Sequence, residues 1–382
     1  MKDLARNVNA PANRRSFLKQ GLAVTGAATA GIGLVANAPS AFAQEESSGR
    51  LNKGDAAILR FLAAAEIIES DLWVQYNELG GVQDSERPEL GGGGSVPYML
   101  ALQNLDGDMP QYIHDNTDDE LSHRDFLNAY LASKGADTVN LDHFRTIPGS
   151  KATGATGIGR LTNLMELTVD TSWWTRYRSN SMNPDLGNFK FPQAVPSLFA
   201  GQFPAIPRND SDLAPSDHIQ AIANTAAFHF GFIEQGGSSL YPSLAQRVSD
   251  PEVLRILLSI GPTETSHFQT WHDKAGNGVQ PPFNVTDSTT KNPQLVFPNL
   301  NDTKDPDTFQ ANLIMPEPVT FLSRKFPPCS IIRPTQTKGA AMAALQSFID
   351  DGLFRGQQNP QFFQYLRDLA EDADEATRQL AY

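Results

Sequence analysis

Apolar residues recur at helical spacing in several long stretches of the chain. Between Asp55 and Leu79 they follow a period of three to four residues, and Gly80-Gly81 comes directly afterwards. Such a stripe predicts an amphipathic helix with Asp55 as its N-cap, and the glycines predict its end. The apolar positions of this stripe are Ile58, Phe61, Leu62, Ala65, Ile68, Leu72, Trp73, Tyr76 and Leu79.

Three further long helices are predicted on the same grounds. The second covers 108–135, where Asp108 and Pro110 mark the start and Gly135 marks the end. The third covers about 216–240, and the fourth covers 250–274. Gly261-Pro262 is expected to kink the fourth helix, because proline removes a backbone donor. A short helix is expected over 96–105.

The remaining segments have a weaker helical pattern. Residues 136–215 are predicted to be irregular, with one amphipathic helix at about 159–177. From 277 onward the chain is rich in loops, and it closes with two helices near 338–354 and 360–380. No regular alternation of apolar and polar residues predicts a substantial β-sheet.

The charge of the chain argues against nucleic acid as a partner. The formal net charge is −13, and the first 43 residues hold five of the 30 bases and one of the 43 acids. The rest of the chain therefore carries −17, a field that repels phosphate backbones. The single cysteine, Cys329, excludes an intrachain disulfide, a cysteine zinc site and an iron–sulfur cluster.

The first 43 residues have the three parts of an export signal. The basic segment Asn13–Lys19 precedes a weakly apolar run, Gly21–Val35, and Ala41-Phe42-Ala43 supplies a cleavage site before Gln44. Arg14-Arg15 followed by Ser-Phe-Leu-Lys resembles a twin-arginine signal. The run of 15 residues is too short to span a bilayer core of about 30 Å. We expect export through the twin-arginine (Tat) machinery to the periplasm or cell envelope.

Two Glu-x-x-His motifs carry the candidate chemistry. They are Glu120-Leu121-Ser122-His123 in the second helix and Glu264-Thr265-Ser266-His267 in the fourth. A spacing of three residues places carboxylate and imidazole on one helix face, so both can reach the same ion. Either motif by itself is more often an ordinary surface sequence than a metal site.

The other two long helices strengthen the metal hypothesis. Each carries a glutamate seven residues before an aromatic: Glu66 before Trp73, and Glu234 before Tyr241. The order along the chain is therefore Glu, Glu-x-x-His, Glu, Glu-x-x-His, which is the order in ferritin-like carboxylate bundles. Four carboxylates and two imidazoles suit two iron or manganese ions. The predicted ligands are Glu66, Glu120, His123, Glu234, Glu264 and His267.

These motifs resemble the ferritin-like superfamily, and in particular its exported, desiccation-related branch. The matching stretches are 66–69, 232–241, 248–251 and 264–267. The resemblance covers about 55–135 and 216–275. It implies an all-α, four-helix ferritin-like bundle over 44–276, with 136–215 as the long connection between helices two and three and 277–382 as a C-terminal extension. Trp73, where a hydroxylated aromatic is commoner, and Gly236-Gly237 depart from the family pattern.

Three points stay open on the sequence alone. Glu69 lies nearer the apolar centre of its helix than Glu66, so it competes as a ligand or as a supporting group. Glu166 also precedes an aromatic, Trp173, by seven residues and competes with Glu234. Five histidines lack a partner pattern, although His229 and His272 could orient a carboxylate. These five are His114, His143, His218, His229 and His272.

The resemblance implies a di-metal carboxylate protein that acts on dioxygen or peroxide in envelope stress defence. A manganese catalase is one form of this hypothesis, and no catalytic general acid is identifiable. The alternative is a non-catalytic envelope binding or protective protein, with 277–382 as its working surface. That surface would include Phe362, Phe363, Tyr365 and Leu366. The large insertions argue against a closed ferritin cage and leave a smaller homo-oligomer open.

Overall fold

Four long helices dominate the computed structural model, which describes residues 49–83, 92–176, 191–272, 274, 284–290, 294–296 and 338–379. The predicted export signal, 1–43, lies outside these residues. The helices in chain order are α1 Lys53–Gly80, α2 Val96–Gln103, α3 Met109–Ser133, α4 Ser172–Arg176, α5 Pro196–Phe199, α6 Ser216–Ala245, α7 Pro251–Trp271, α8 Ala340–Asp350 and α9 Pro360–Glu375. Short 3-10 helices cover Asp142–Phe144 and Asp210–Leu213, and strands β1 Val285–Thr286 and β2 Gln294–Leu295 form one small antiparallel pair.

Helices α1, α3, α6 and α7 form a bundle of two antiparallel hairpins, α1 with α3 and α6 with α7. The hydroxyls of Ser70 and Thr117 reach across α1 and α3 to the carbonyls of Glu120 and Trp73, which fixes their opposite directions. Helices α6 and α7 pack as the second hairpin. The two hairpins meet along α1 and α6, where Tyr76 bonds to His229.

This arrangement explains the long connection between α3 and α6. Helix α3 runs antiparallel to α1, and α1 runs antiparallel to α6, so α3 and α6 point the same way. A chain leaving the end of α3 must therefore travel the length of the bundle before α6 begins. Residues 134–215 provide that crossover. The prediction of an all-α four-helix bundle with a long connection between its second and third helices is confirmed.

The predicted helix at 159–177 is wrong except for its last turn. Only Ser172–Arg176 is helical, while 159–171 is irregular. The Asp71 carboxylate accepts hydrogen bonds from the backbone N–H groups of Leu161 and Thr162, each at 2.9 Å. These donors are thus satisfied from α1 rather than within a helix. The apolar positions that suggested a helix are buried against the bundle without one.

The start of α1 also differs from the prediction. Asn52 is its N-cap, and its side chain accepts a hydrogen bond from the Asp55 N–H. The Asp55 carboxylate instead accepts the N–H groups of Ser249 and Asp250 at 2.9 and 2.8 Å. Asp55 therefore ties the start of α1 to the turn before α7. Asp250 caps α7 as predicted, since its side chain accepts the Glu252 N–H.

The C-terminal helices pack onto the bundle. Helix α9 lies against α1, and α8 lies against α9 and α6. Phe362 and Leu366 are buried in the core, and Phe363 and Tyr365 are partly buried against it. The expected working surface of these four residues is therefore wrong, because they hold α9 to the bundle. In the part of the chain that the structure describes, no helix is long and apolar enough to cross a membrane.

Candidate metal centre

The bundle brings the six predicted ligands to one place in its interior. Helix α1 supplies Glu66, α3 supplies Glu120 and His123, α6 supplies Glu234, and α7 supplies Glu264 and His267. The four carboxylates are at most 1% exposed, and the side chains of His123 and His267 keep 10 and 12% of their surface.

The ligand atoms form two overlapping groups. One group contains Glu66, Glu120, His123 and Glu264, and the other contains Glu120, Glu234, Glu264 and His267. Within each group the ligand atoms lie within 4.8 Å of one another. Glu120 and Glu264 belong to both groups. The geometry therefore offers two adjacent positions for an ion. Each position has one imidazole and one carboxylate of its own, and the two positions share two further carboxylates.

The imidazole of His123 faces the first group. Its Nδ1 lies 3.1 Å from Oε2 of Glu120, 3.1 Å from Oε1 of Glu264 and 3.7 Å from Oε2 of Glu66. The Glu120 contact has hydrogen-bond geometry, whereas the Glu264 contact is close but poorly aligned. One imidazole nitrogen and three carboxylates thus converge, and this set of donors suits iron or manganese.

The imidazole of His267 faces the second group. Its Nδ1 lies 3.0 Å from Oε1 of Glu120 and 3.2 Å from Oε2 of Glu234. Its other nitrogen, Nε2, lies 3.1 Å from Oδ2 of Asp119, at the edge of the cluster. A carboxylate on the far nitrogen orients the ring and fixes which nitrogen faces inward, as is usual for metal-binding histidines.

Two polar side chains support the carboxylates. The Asn116 amide donates to Oε1 of Glu120 and to Oε1 of Glu234, both at 2.9 Å, and its carbonyl accepts from Nε1 of Trp271 at 2.7 Å. The Tyr241 hydroxyl donates to Oε1 of Glu66. The sequence prediction missed Asn116, although it lies four residues before Glu120 and therefore on the same helix face. Tyr241 follows Glu234 in sequence but bonds to Glu66 across the bundle.

Several carboxylate oxygens have no hydrogen-bond donor among the described residues. Both oxygens of Glu264 and Oε2 of Glu66 are buried and receive no such hydrogen bond. A buried anionic oxygen without a donor is costly, and a bound cation is the usual compensation. Gly237 of α6 leaves the space in which Glu264 lies, since a Cβ there would come within 3.0 Å of its Cδ. These observations fit a site that is completed by metal.

Burial and mutual repulsion shift the pKa values of the cluster. Burial raises the pKa of Glu66 to about 7. Burial also raises the pKa of Glu264 well above its ordinary value, and the negative charge of Glu120 adds to this increase. Burial alone would raise the pKa of Glu120 as well, but hydrogen bonds to His123 and His267 lower it to about 2. Desolvation opposes the charge of both imidazoles, but the surrounding carboxylates raise their pKa values. Without a cation, the cluster offsets the repulsion among its carboxylates by binding protons.

The competing candidates lie outside the two groups. Glu69 is partly exposed and borders the cluster, and its pKa is raised well above the ordinary value by burial and by nearby carboxylates. Glu166 is exposed on the α3–α6 connection. His229 lies 2.6 Å from the Tyr76 hydroxyl rather than on a carboxylate, and His272 packs against Trp173. Glu66 and Glu234 are therefore the glutamates that the fold places with the Glu-x-x-His motifs.

The comparisons with known proteins agree with this geometry. A family model described as a ferritin-like domain matches residues 54–276. This range is more than half of the chain, so the protein belongs to the ferritin-like family. No curated protein and no solved structure matches the chain. The match begins in α1 and ends just after α7, so it includes all four bundle helices and excludes α8 and α9.

Proposed function

We propose that this protein binds two first-row divalent ions, iron or manganese, and uses them in redox chemistry with dioxygen or peroxide. The observation that carries the proposal is the pair of overlapping ligand groups, which share Glu120 and Glu264. Four carboxylates balance the charge of two divalent ions, and oxygen with imidazole donors suits iron and manganese better than a soft metal.

The ligands divide between the two positions. Glu66 and His123 would hold one ion, Glu234 and His267 would hold the other, and Glu120 and Glu264 would bridge the pair. Bound iron or manganese would supply the electron transfer with dioxygen or peroxide that amino-acid side chains cannot carry out. Among the described residues, no hydrogen-bond donor reaches either oxygen of Glu264 or Oε2 of Glu66, which supports this assignment.

The surrounding side chains keep the ligands in position. Asn116 donates to Glu120 and Glu234, so it holds one carboxylate from each hairpin. Tyr241 restrains Glu66, and Asp119 orients His267. Trp73 stacks on Trp271 with ring centroids 5.4 Å apart, and these rings help to close the interior against bulk water. A dry, pre-organised site keeps the ligand geometry fixed while the charge of the centre changes.

We further propose that the protein works outside the cytoplasm in stress defence, as a desiccation-related member of its family. The sequence of residues 13–43 supports export through the twin-arginine machinery. That route carries folded proteins, so a site made of residues from four helices would be filled before export. Metal affinity depends on folding, which makes loading inside the cell the better-controlled step.

The test compares metal-loaded protein with its metal-free form. Full-length protein is loaded with ferrous iron or with manganese, and consumption of hydrogen peroxide and of dioxygen is measured. The proposal expects turnover that depends on two ions per chain and is lost in Glu120→Gln. Two bound ions without turnover would reject the enzyme and leave the non-catalytic binding or protective protein. Protein that binds no ion in either loading would reject the metal centre itself.

A further inference from the structure

A mainly apolar cavity of about 180 Å³ lies beside the metal centre. Helices α1 and α6 form two of its walls, and α8 forms the third. Residues from α8 and the turn after it include Ala340, Ala344, Phe348 and Leu353. Small residues on this helix leave the volume open, since alanine and serine occupy positions where a leucine would project inward.

Two residues belong to both the cavity and the centre. Glu66 and Tyr241 line the cavity, and a hydrogen bond joins them. A molecule in the cavity would therefore lie next to a proposed metal ligand. The α8 wall lies outside the part of the chain that matches the ferritin-like family, 54–276. The cavity thus depends on a segment outside the matched part of the chain.

The polar groups of the lining mostly bond to other protein groups. Gln235 donates to Ser239 at 2.9 Å, His229 bonds to Tyr76, and Tyr241 bonds to Glu66. Glu69 is different. Its Oε1 atom is buried and has no hydrogen-bond partner among the described residues. Oε2 of Glu66 also lacks a donor, but it faces His123 in the metal centre. An acceptor in this state is costly unless a donor reaches it, so Glu69 is the point outside the centre at which the cavity favours a polar group.

We propose that this cavity binds a small, neutral, mainly apolar molecule that carries one hydroxyl group. The apolar part lies between α1, α6 and α8, and the hydroxyl donates to Oε1 of Glu69, beside Glu66. The inference deepens the proposed function and rests on it, because a ligand beside Glu66 is close to the reaction only if Glu66 binds metal. It names the class of molecule that would reach the centre and gives α8 a role in selecting it.

The volume and chemistry of the cavity set the class of ligand. An apolar cavity of about 150 Å³ is large enough for benzene. A molecule with six to eight carbon atoms therefore fits a cavity of about 180 Å³. Apolar walls favour a neutral body, because a charged group would lose its water without a matching set of partners.

Binding of simple probes tests this inference. Phenol, benzene and benzylamine are titrated into full-length protein and followed by calorimetry and ligand-observed NMR. We expect phenol to bind about tenfold more tightly than benzene, which is the ratio for one buried hydrogen bond. Glu69→Leu removes the acceptor with little change in volume and should abolish this preference while benzene still binds. Equal binding of phenol and benzene to the unaltered protein, or tightest binding of benzylamine, would overturn the assignment.

Filling the cavity provides the second test. A Cβ at Gly236 would meet nothing within 4 Å, so a longer side chain there extends into open space. Gly236→Leu, and independently Ala344→Phe on the opposite wall, should weaken phenol at least tenfold, while the control Gly236→Ala should weaken it much less. Unchanged phenol affinity in both filled variants would place the probe elsewhere and contradict the proposal.

Metal content is measured on the same samples and separates this inference from the proposed function. Two ions per chain without phenol binding would reject the cavity ligand and leave the metal centre. Suppose instead that the protein takes up no metal but binds phenol, and that this binding is lost in the Glu69 and Gly236 variants. That result would reject the metal centre and leave the cavity.

Discussion

Gly237 of α6 lies directly against the carboxylate of Glu264 on α7. A Cβ at position 237 would lie 3.0 Å from Cδ of Glu264 and closer still to its Oε2. Only glycine leaves this carboxylate where both ligand groups share it. Gly236, its neighbour, faces open space. The two glycines of α6 thus have different roles, although the sequence shows them as a pair.

Alanine substitutions should separate these roles. Gly237→Ala is expected to displace Glu264 and to reduce the metal content below two ions per chain. Gly236→Ala should keep both ions and stabilise the protein by about 0.5–1 kcal/mol, because alanine loses less backbone entropy in a helix. Metal analysis and urea unfolding of both variants provide the measurement. Full metal content in Gly237→Ala would show that Glu264 need not occupy its observed position.

Tyr241→Phe removes the hydrogen bond to Glu66 and keeps the ring. We expect two ions to bind still, with metal affinity reduced about 10–100-fold, the usual effect of losing a group that supports a ligand. Competition with a chelator of known affinity measures this change. The control is Tyr76→Phe, which removes a hydrogen bond to His229 rather than to a ligand. It should cost about 1 kcal/mol of stability and leave metal affinity unchanged. Equal affinity losses in the two variants would mean that Tyr241 has no particular role at the centre.

The stability of the metal-free protein should fall as the pH rises from 5 to 8. Burial raises the pKa of Glu66 to about 7 from an ordinary 4.5, so the folded state holds a proton that the unfolded chain releases in this window. This stabilisation is complete below pH 4.5 and is lost as the pH approaches 7, a decrease of about 3 kcal/mol. Asp351, whose pKa burial raises to about 8, acts in the same direction. His229 opposes them up to pH 6.5, because burial lowers its pKa to about 3.

Urea unfolding at a series of pH values checks this dependence. Glu66→Gln cannot release a proton and should therefore remove about 3 kcal/mol of the decrease. Metal ions bind ionised carboxylates, so the stability difference between loaded and metal-free protein should grow over the same pH range. Metal-free protein that becomes more stable from pH 5 to 8 would contradict the charge arrangement described for the cluster.

Export is tested at the paired arginines. Arg14→Lys combined with Arg15→Lys keeps the charge but removes the guanidinium groups, which lysine does not replace in specific recognition. We expect the precursor to accumulate in the cytoplasm, folded, metal-loaded and uncleaved between Ala43 and Gln44. Cell fractionation with a size shift measures the outcome. Normal export of the variant would remove the argument that metal loading precedes export.

The long helices could be predicted from sequence because their apolar periodicity and their end signals agree. The stretch 159–177 shows the limit of this reasoning. Its apolar residues have helical spacing, yet Asp71, about 90 residues earlier, binds their backbone donors and holds an irregular segment. The prediction that Phe362 and Leu366 form an exposed working surface is wrong for a related reason. Their apolar character was evident, but the packing of α9 against α1 could not be read from either helix alone.

The part of the candidate site that lies within single helices could be predicted from the sequence. Glu-x-x-His places Glu120 beside His123 within one helix turn, and a helix fixes that relation. The contacts of Tyr241 with Glu66 and of Asn116 with Glu234 join different helices. They depend on how the helices are rotated about their axes. No single-helix pattern contains that rotation, so these supporting residues required the structure.

The number of metal ions per chain tests the central claim most directly. Elemental analysis compares protein exported by its own route with the variant Glu120→Gln, Glu264→Gln, which removes the two shared carboxylates at constant volume. The control is Glu166→Gln, an exposed glutamate outside both ligand groups. We predict two iron or manganese ions in the unaltered protein and in the control, and close to none in the double variant. Two ions retained in the double variant, or none in the unaltered protein, would contradict the account.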